Sequence, residues 1–313
     1  MFNKVYLGNK FVNKIYLGSS LVKYNTDSVL PPIRDVLIFS GADDGFFKQY
    51  SKELIELKAI NGLSGNPTTS IANDAFVYLS DSIGKVYKID SDDLQINASS
   101  QPYTASILDM TLTNEKRLYT ISQSDGQVKE LNSNNLQVVK SYSVNGEAIC
   151  SDAEGNIYVA TSGTLFKFNS GLELIGQLST HANPRMKSLC IDNKGFGYLS
   201  NGRKKIVKFN TANMTSVKEV SCTNYELPNI WLPNGFVYLG DGQYLTKINA
   251  DTMTVVSYGQ QINSDILDLT CDSEGMLYTS NADGSITKFN PDTMQILKTI
   301  KPHTGKVNTI CSA

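Results

Sequence analysis

Few side chains in this sequence are equipped for chemistry, and they lie far apart. There are two histidines, His181 and His303, and five cysteines, Cys150, Cys190, Cys222, Cys271 and Cys311. Two imidazoles without a third ligand at metal-binding spacing make no zinc site, and an odd set of scattered thiols gives neither a disulfide framework nor a CxxC pair. Free, buried thiols are expected, in keeping with folding in a reducing compartment. Nucleophile elbow, Walker loop and His-Glu-x-x-His are all missing. What remains is a pair of carboxylates, Asp109 and Asp268, suited to general acid/base work if they converge. The other remaining group is basic: His181, Arg185, Arg203, Lys204 and Lys205 could together hold an anion. Whether either set meets depends on the elements that carry it.

Those elements repeat. An aromatic flanked by apolar residues recurs at Phe39, Tyr78, Tyr119, Tyr158, Tyr198, Tyr238 and Tyr278, at spacings of 39, 41, 39, 40, 40 and 40 residues. Around each runs one grammar: an apolar strand, a turn rich in Asp and Gly, the aromatic strand, a hairpin turn, a third strand and a β-branched fourth strand. Third strands end alike, as in Leu165-Phe166-Lys167-Phe168-Asn169 and Ile286-Thr287-Lys288-Phe289-Asn290. Four short antiparallel strands every forty residues, the second nearly apolar on both faces, predict an all-β fold, a seven-bladed β-propeller over residues 31–313. The first copy lacks a first strand of its own. The C-terminal run Lys306–Ser312 aligns with Asp265–Cys271, so Val307 and Ile310 are expected to close the ring by pairing into the first blade.

In that frame Asp109 and Asp268 fall in first strands of blades three and seven, in a column otherwise holding Thr68, Ala148, Ser188, Pro228 and Thr309. They read as polar lining of the central channel. The Asp-Gly pairs at Asp125, Asp241 and Asp283 are explained by hairpin geometry. Loops entering a blade share a face with its second hairpin, which would gather His181, Arg185 and Lys187 near Arg203, Lys204 and Lys205 at blade five, a candidate site for an anion such as phosphate in a cell-wall polymer. Tyr103, Tyr225 and Tyr258 fall near inter-blade loops, where an aromatic ring can stack on a sugar or, more commonly, covers a blade edge.

Residues 1–30 are a separate object. Residues 3–12 and 13–22 align one for one, as Asn-Lys-Val-Tyr-Leu-Gly against Asn-Lys-Ile-Tyr-Leu-Gly, and with their Gly-Asn and Gly-Ser turns read as a β-hairpin or small β-meander. A two-stranded unit is marginal alone in water. Val5, Tyr6, Leu7, Ile15, Tyr16 and Leu17 therefore need a partner, either the propeller, copies of the segment itself or another protein, and these six are the expected attachment residues. The polar stretch to Pro31-Pro32 is a semi-rigid spacer.

The 313 residues carry a net charge of −2, with 41% apolar and 19% charged residues. This gives no general attraction for nucleic acid or anionic membranes, and no apolar run nears the ~20 residues of a spanning helix. The blade repeat resembles the NHL, quinoprotein-like and YVTN propellers in its Asp-x-x-Gly turn and its Lys-aromatic-Asn strand end, whereas Trp-Asp and paired-glycine signatures are absent. The tandem Lys-Val/Ile-Tyr-Leu-Gly opening resembles the N-terminal segments of tail-tip and fibre proteins in tailed bacteriophages. That resemblance implies a non-enzymatic structural and adhesion component of a virion tail, without cofactor, assembled in the host cytoplasm and present in several copies. Residues 1–30 would dock to other tail or baseplate proteins, and a propeller face would meet a host cell-wall polymer or surface protein. The alternatives are an intracellular propeller scaffold for protein partners and a propeller hydrolase or lyase.

Overall fold

The computed structural model describes residues 36–73, 75–122, 124–180, 188–201, 204–222, 230–231 and 235–313, together with the strand segments Tyr6–Leu7, Lys10–Phe11, Lys14–Leu17 and Ser20–Lys23. The chain divides into two compact units, Met1–Asp35 and Val36–Ala313. In the first unit two antiparallel pairs form, with Tyr6 opposite Phe11 and Leu7 opposite Lys10, then Ile15 opposite Val22 and Tyr16 opposite Leu21.

The second unit is a seven-bladed β-propeller, and every described regular element in it is a strand. Each blade is a four-stranded antiparallel sheet. Six blades take their strands in chain order; the third, for example, is Asp109–Leu112, Leu118–Ser122, Gln127–Leu131 and Val138–Ser143. The first blade takes its innermost strand, Val307–Ser312, from the C-terminus and sets it beside Leu37–Ala42. Val307 pairs with Ala42 and Ile310 with Ser40, as the repeat predicts, and Leu37 and Ala313 exchange backbone hydrogen bonds of 3.2 and 3.0 Å. Val307 and Ile310 join a core that spans blades seven and one, with Tyr278, Ile286, Ile38, Tyr50 and Leu54. Burying each contributes about 1.5–3 kcal/mol.

The recurrent strand-end motif has a physical purpose beyond strand formation. Asn132, Asn249 and Asn290 accept backbone N–H bonds from residues two and three positions on, and Asp90 does the same. The turn then closes with a left-handed apolar residue, Leu94, Leu136, Met253 or Met294, whose N–H bonds back four residues. A non-glycine residue in that region costs about 1–2 kcal/mol. Burial of the side chain offsets it, since all seven such residues, Leu54, Leu172 and Met214 included, are buried.

The lysine of the motif reaches sideways. Lys167, Lys208, Lys247 and Lys288 donate to the carbonyl oxygens of Thr211, Ala250, Pro291 and Lys52, each in the outer turn of the following blade. Aromatic rings of the second strand cover the alkyl stems and ammonium groups, with Lys208 over Phe196 at 4.2 Å and Lys247 over Phe236 at 4.1 Å. Second-strand tyrosines add to the same joints: the hydroxyls of Tyr78, Tyr119 and Tyr278 donate to Ser133, Ser170 and Lys52. A buried cation is tolerated because it is hydrogen-bonded and ring-covered. Adjacent blades are thereby fixed in register as well as packed.

Candidate functional site

The channel carboxylates are positioned by their own strands but committed to the neighbouring ones. Asp109 accepts the N–H of Met110 at 2.8 Å and, across to blade four, that of Ile149 at 2.9 Å. Asp268 repeats this with Leu269 at 2.7 Å and Ile310 of the closing strand at 2.9 Å. Both side chains are half-buried in the ring's inner wall. Burial raises each to about 7, against the pull of the N–H donors, and the Asp109 charge raises Asp268 further. Hydroxyl pairs continue the same inner seam, Ser70 to Thr309 at 2.8 Å and Thr111 to Ser151 at 3.0 Å. These two acids are thus stitching between inner strands as well as polar lining.

A second array has the form of a proton relay. Ser40 Oγ lies 2.8 Å from His303 Nε2, and His303 Nδ1 lies 3.0 Å from Asp44 Oδ2. Burial holds the imidazole below its usual range despite the nearby Asp44 charge. Burial also acts to raise Asp44, but the N–H groups of Phe46 and Thr304 and the His303 contact outweigh it and keep the carboxyl low. A neutral ring beside a carboxylate donates from Nδ1, which leaves Nε2 to accept a hydroxyl; Tyr50 OH, 3.4 Å from Nε2, completes the set. Acyl-transfer chemistry needs an exposed nucleophile, whereas Ser40 and the His303 side chain are both fully buried. The array holds the loop before the closing strand onto the first blade. Lys48 assists by donating to Pro302 O at 2.9 Å.

The joint between blades two and three has the same plan without histidine. Tyr103 is buried and donates to Thr120 O at 2.7 Å, Thr104 binds Asp125 through N–H and hydroxyl at 2.7 and 2.6 Å, and Lys129 donates to Pro102 O. Tyr103 is therefore a structural residue that covers a blade joint, and not a sugar-stacking group. The signal was present in the parallel runs Pro102-Tyr103-Thr104 and Pro302-His303-Thr304, each partnered by an aspartate in the next hairpin.

Of the basic group at blade five, His181, Arg185, Lys187 and Arg203 lie outside the described residues, as does Tyr225. Lys204 occupies a turn with φ of 59°, and Lys205 pairs with Glu219 of the outer strand. Of the attachment residues, Val5 lies outside the described residues, while Tyr6, Leu7, Ile15, Tyr16 and Leu17 fall within the short paired strands. Tyr258 is exposed on the outer strand of blade six. The five cysteines are free, and burial raises the thiols of Cys190, Cys222, Cys271 and Cys311, which makes them poor nucleophiles.

No known protein family matches the chain. No curated protein matches it either. Among solved structures it is similar to the crystal structure of the computationally designed Ika8 protein, with a TM-score of 0.67 and 16% identity, over 87% of this chain and 86% of that one. Likeness at that identity concerns the fold alone.

Proposed function

We propose that this protein is a non-enzymatic structural and adhesion component of a phage tail, attached to neighbouring virion proteins through residues 1–30 and presenting its propeller to the host surface or to a further tail protein. The observation that carries this reading is the tandem Lys-Val/Ile-Tyr-Leu-Gly segment, whose two short strand pairs fall in the first of the chain's two compact units. Two-stranded pairs of this size gain stability from a partner. The non-enzymatic part is supported by the chemistry of the ring: Asp109 and Asp268 are spent on backbone N–H groups, and the Ser40, His303 and Asp44 array is sealed. Several copies on one particle would raise avidity at modest affinity per site.

The test is deletion of residues 1–30, followed by assay of purified particles and of the melt of the shortened protein. Loss of incorporation with an unchanged propeller melt is expected. Normal incorporation of the shortened chain, or absence of the intact chain from particles, overturns the reading.

A further inference from the structure

Most tyrosines of the ring are in its core. Tyr244 and Tyr258 are the two described aromatic side chains that stand out of it, 40% and 58% exposed, and both belong to blade six. They also belong to one face of its sheet. Tyr258 is the cross-strand partner of Thr246, and Tyr244 lies two residues before Thr246 in the same strand, Tyr244–Asn249. Side chains at such positions share a face, and diagonal neighbours are within reach of aromatic rings. Deeper on this face, Leu239 and Ile248 pack against Tyr198 and Ile206 of blade five. The two rings occupy the part of the face left open.

The blade framework does not call for either ring. At the register position of Tyr244 the other blades have Phe46, Lys85, Gln127, Thr164, Lys205 and Ser285. At that of Tyr258 they have Ala59, Ser99, Ser141, Gln177, Glu219 and Thr299. Blade six alone has an aromatic at both. Between the rings, Thr246 is 2% exposed and its hydroxyl is buried without a hydrogen-bond partner. Such a group costs free energy unless something satisfies it. The exposed rings beside it are free to rotate on the ps–ns timescale. On this face the cross-strand partner of Tyr244 is Asp241, 3% exposed, and in the adjoining turn Gln243 accepts from Gln261 at 2.9 Å.

We propose that Tyr244 and Tyr258 form a stacking platform for an uncharged saccharide, with Thr246, Gln243 and Gln261 bonding to its hydroxyls. A pyranose ring has an apolar C–H face, which an aromatic ring can cover, and a rim of hydroxyls that match amides and a free hydroxyl. The Asp241 carboxyl on this face would disfavour an anionic ligand and could accept a saccharide hydroxyl. The inference names a ligand class for the host-facing propeller and rests on the adhesion reading for its place on a particle.

The full-length protein is titrated with tetra-N-acetylchitotetraose, maltotetraose and cellotetraose, followed by saturation-transfer NMR and calorimetry. At least one should bind. Tyr258→Thr and Tyr244→Ser, which import the residues blade seven already uses, should each weaken that Kd by about tenfold with an unchanged melt, a change of about 1.4 kcal/mol. Tyr258→Phe should retain binding. The site is refuted if none of the three saccharides binds, or if binding survives both framework substitutions. If the same variants lose saccharide binding while particles adsorb to host cells as before, the site stands and the adhesion reading fails.

Discussion

Lys288 crosses from the seventh blade to the first and donates a 2.8 Å hydrogen bond to the carbonyl oxygen of Lys52, which also accepts from Tyr278 at 3.0 Å. The two residues are 236 positions apart, yet the bond is the ring-closing copy of one that recurs between blades four and five, five and six, and six and seven. Lys288→Met keeps the stem and removes the donor. A hydrogen bond to a charged group contributes about 1.5–3 kcal/mol, and a loss in that range is expected in urea unfolding. Lys298→Met, whose exposed lysine donates to Glu53 O, should cost less than about 1 kcal/mol. Equal losses for the two would remove the argument that burial makes these lysines structural.

Closure by the last strand predicts the effect of truncation. Removing residues 306–313 deletes the inner strand of blade one, with Val307 and Ile310, and bares the edge of Leu37–Ala42. Broadened, non-cooperative unfolding and aggregation in light scattering are expected. A shortened protein that stayed monomeric with an unaltered melt would show that the ring is held elsewhere.

His303 makes stability sensitive to acid. Burial lowers its folded pKa below the unfolded value of about 6.5, so the folded state binds fewer protons than the unfolded one. Its contribution is complete above about pH 6.5 and is lost as pH falls from there through the folded pKa. His303→Gln cannot charge. The difference in melting temperature between wild type and this variant should shrink on acidification from pH 7.5 to 5.5, and a constant difference would rule the mechanism out.

Asp109 and Asp268 act in the opposite sense. Burial pushes both carboxyls from the ordinary 3.8 up to about 7 in the folded state, so their contribution is complete below about pH 3.8 and is lost as pH rises to about 7. Asn at both positions forfeits one N–H acceptor each, a fixed cost, but cannot ionise. Relative to wild type, the Asp109→Asn, Asp268→Asn double variant should therefore gain stability between pH 4 and 7. Differential scanning calorimetry across that range checks this, and an offset independent of pH counts against it.

The forty-residue period, the four-strand grammar and the closing role of Lys306–Ser312 were legible because every blade solves the same local problem with the same residues. Asp and Gly make the turns, an aromatic fills the second strand, and Asn ends the third. Where the motif's lysine goes was not legible, because its acceptor lies in the next blade. His303 could be placed in a loop, but not beside Asp44, which is 259 residues away and becomes its neighbour when the ring closes. Tyr258 could be singled out near an inter-blade loop; its relation to Tyr244 and Thr246 arises from the register of two strands across a bulge at Lys247 and Ile248. Local patterning sets which strands form and which faces are apolar. Contacts between blades depend on how seven similar sheets pack around an axis, and those contacts decided which charged and aromatic residues are framework and which remain free to meet a ligand.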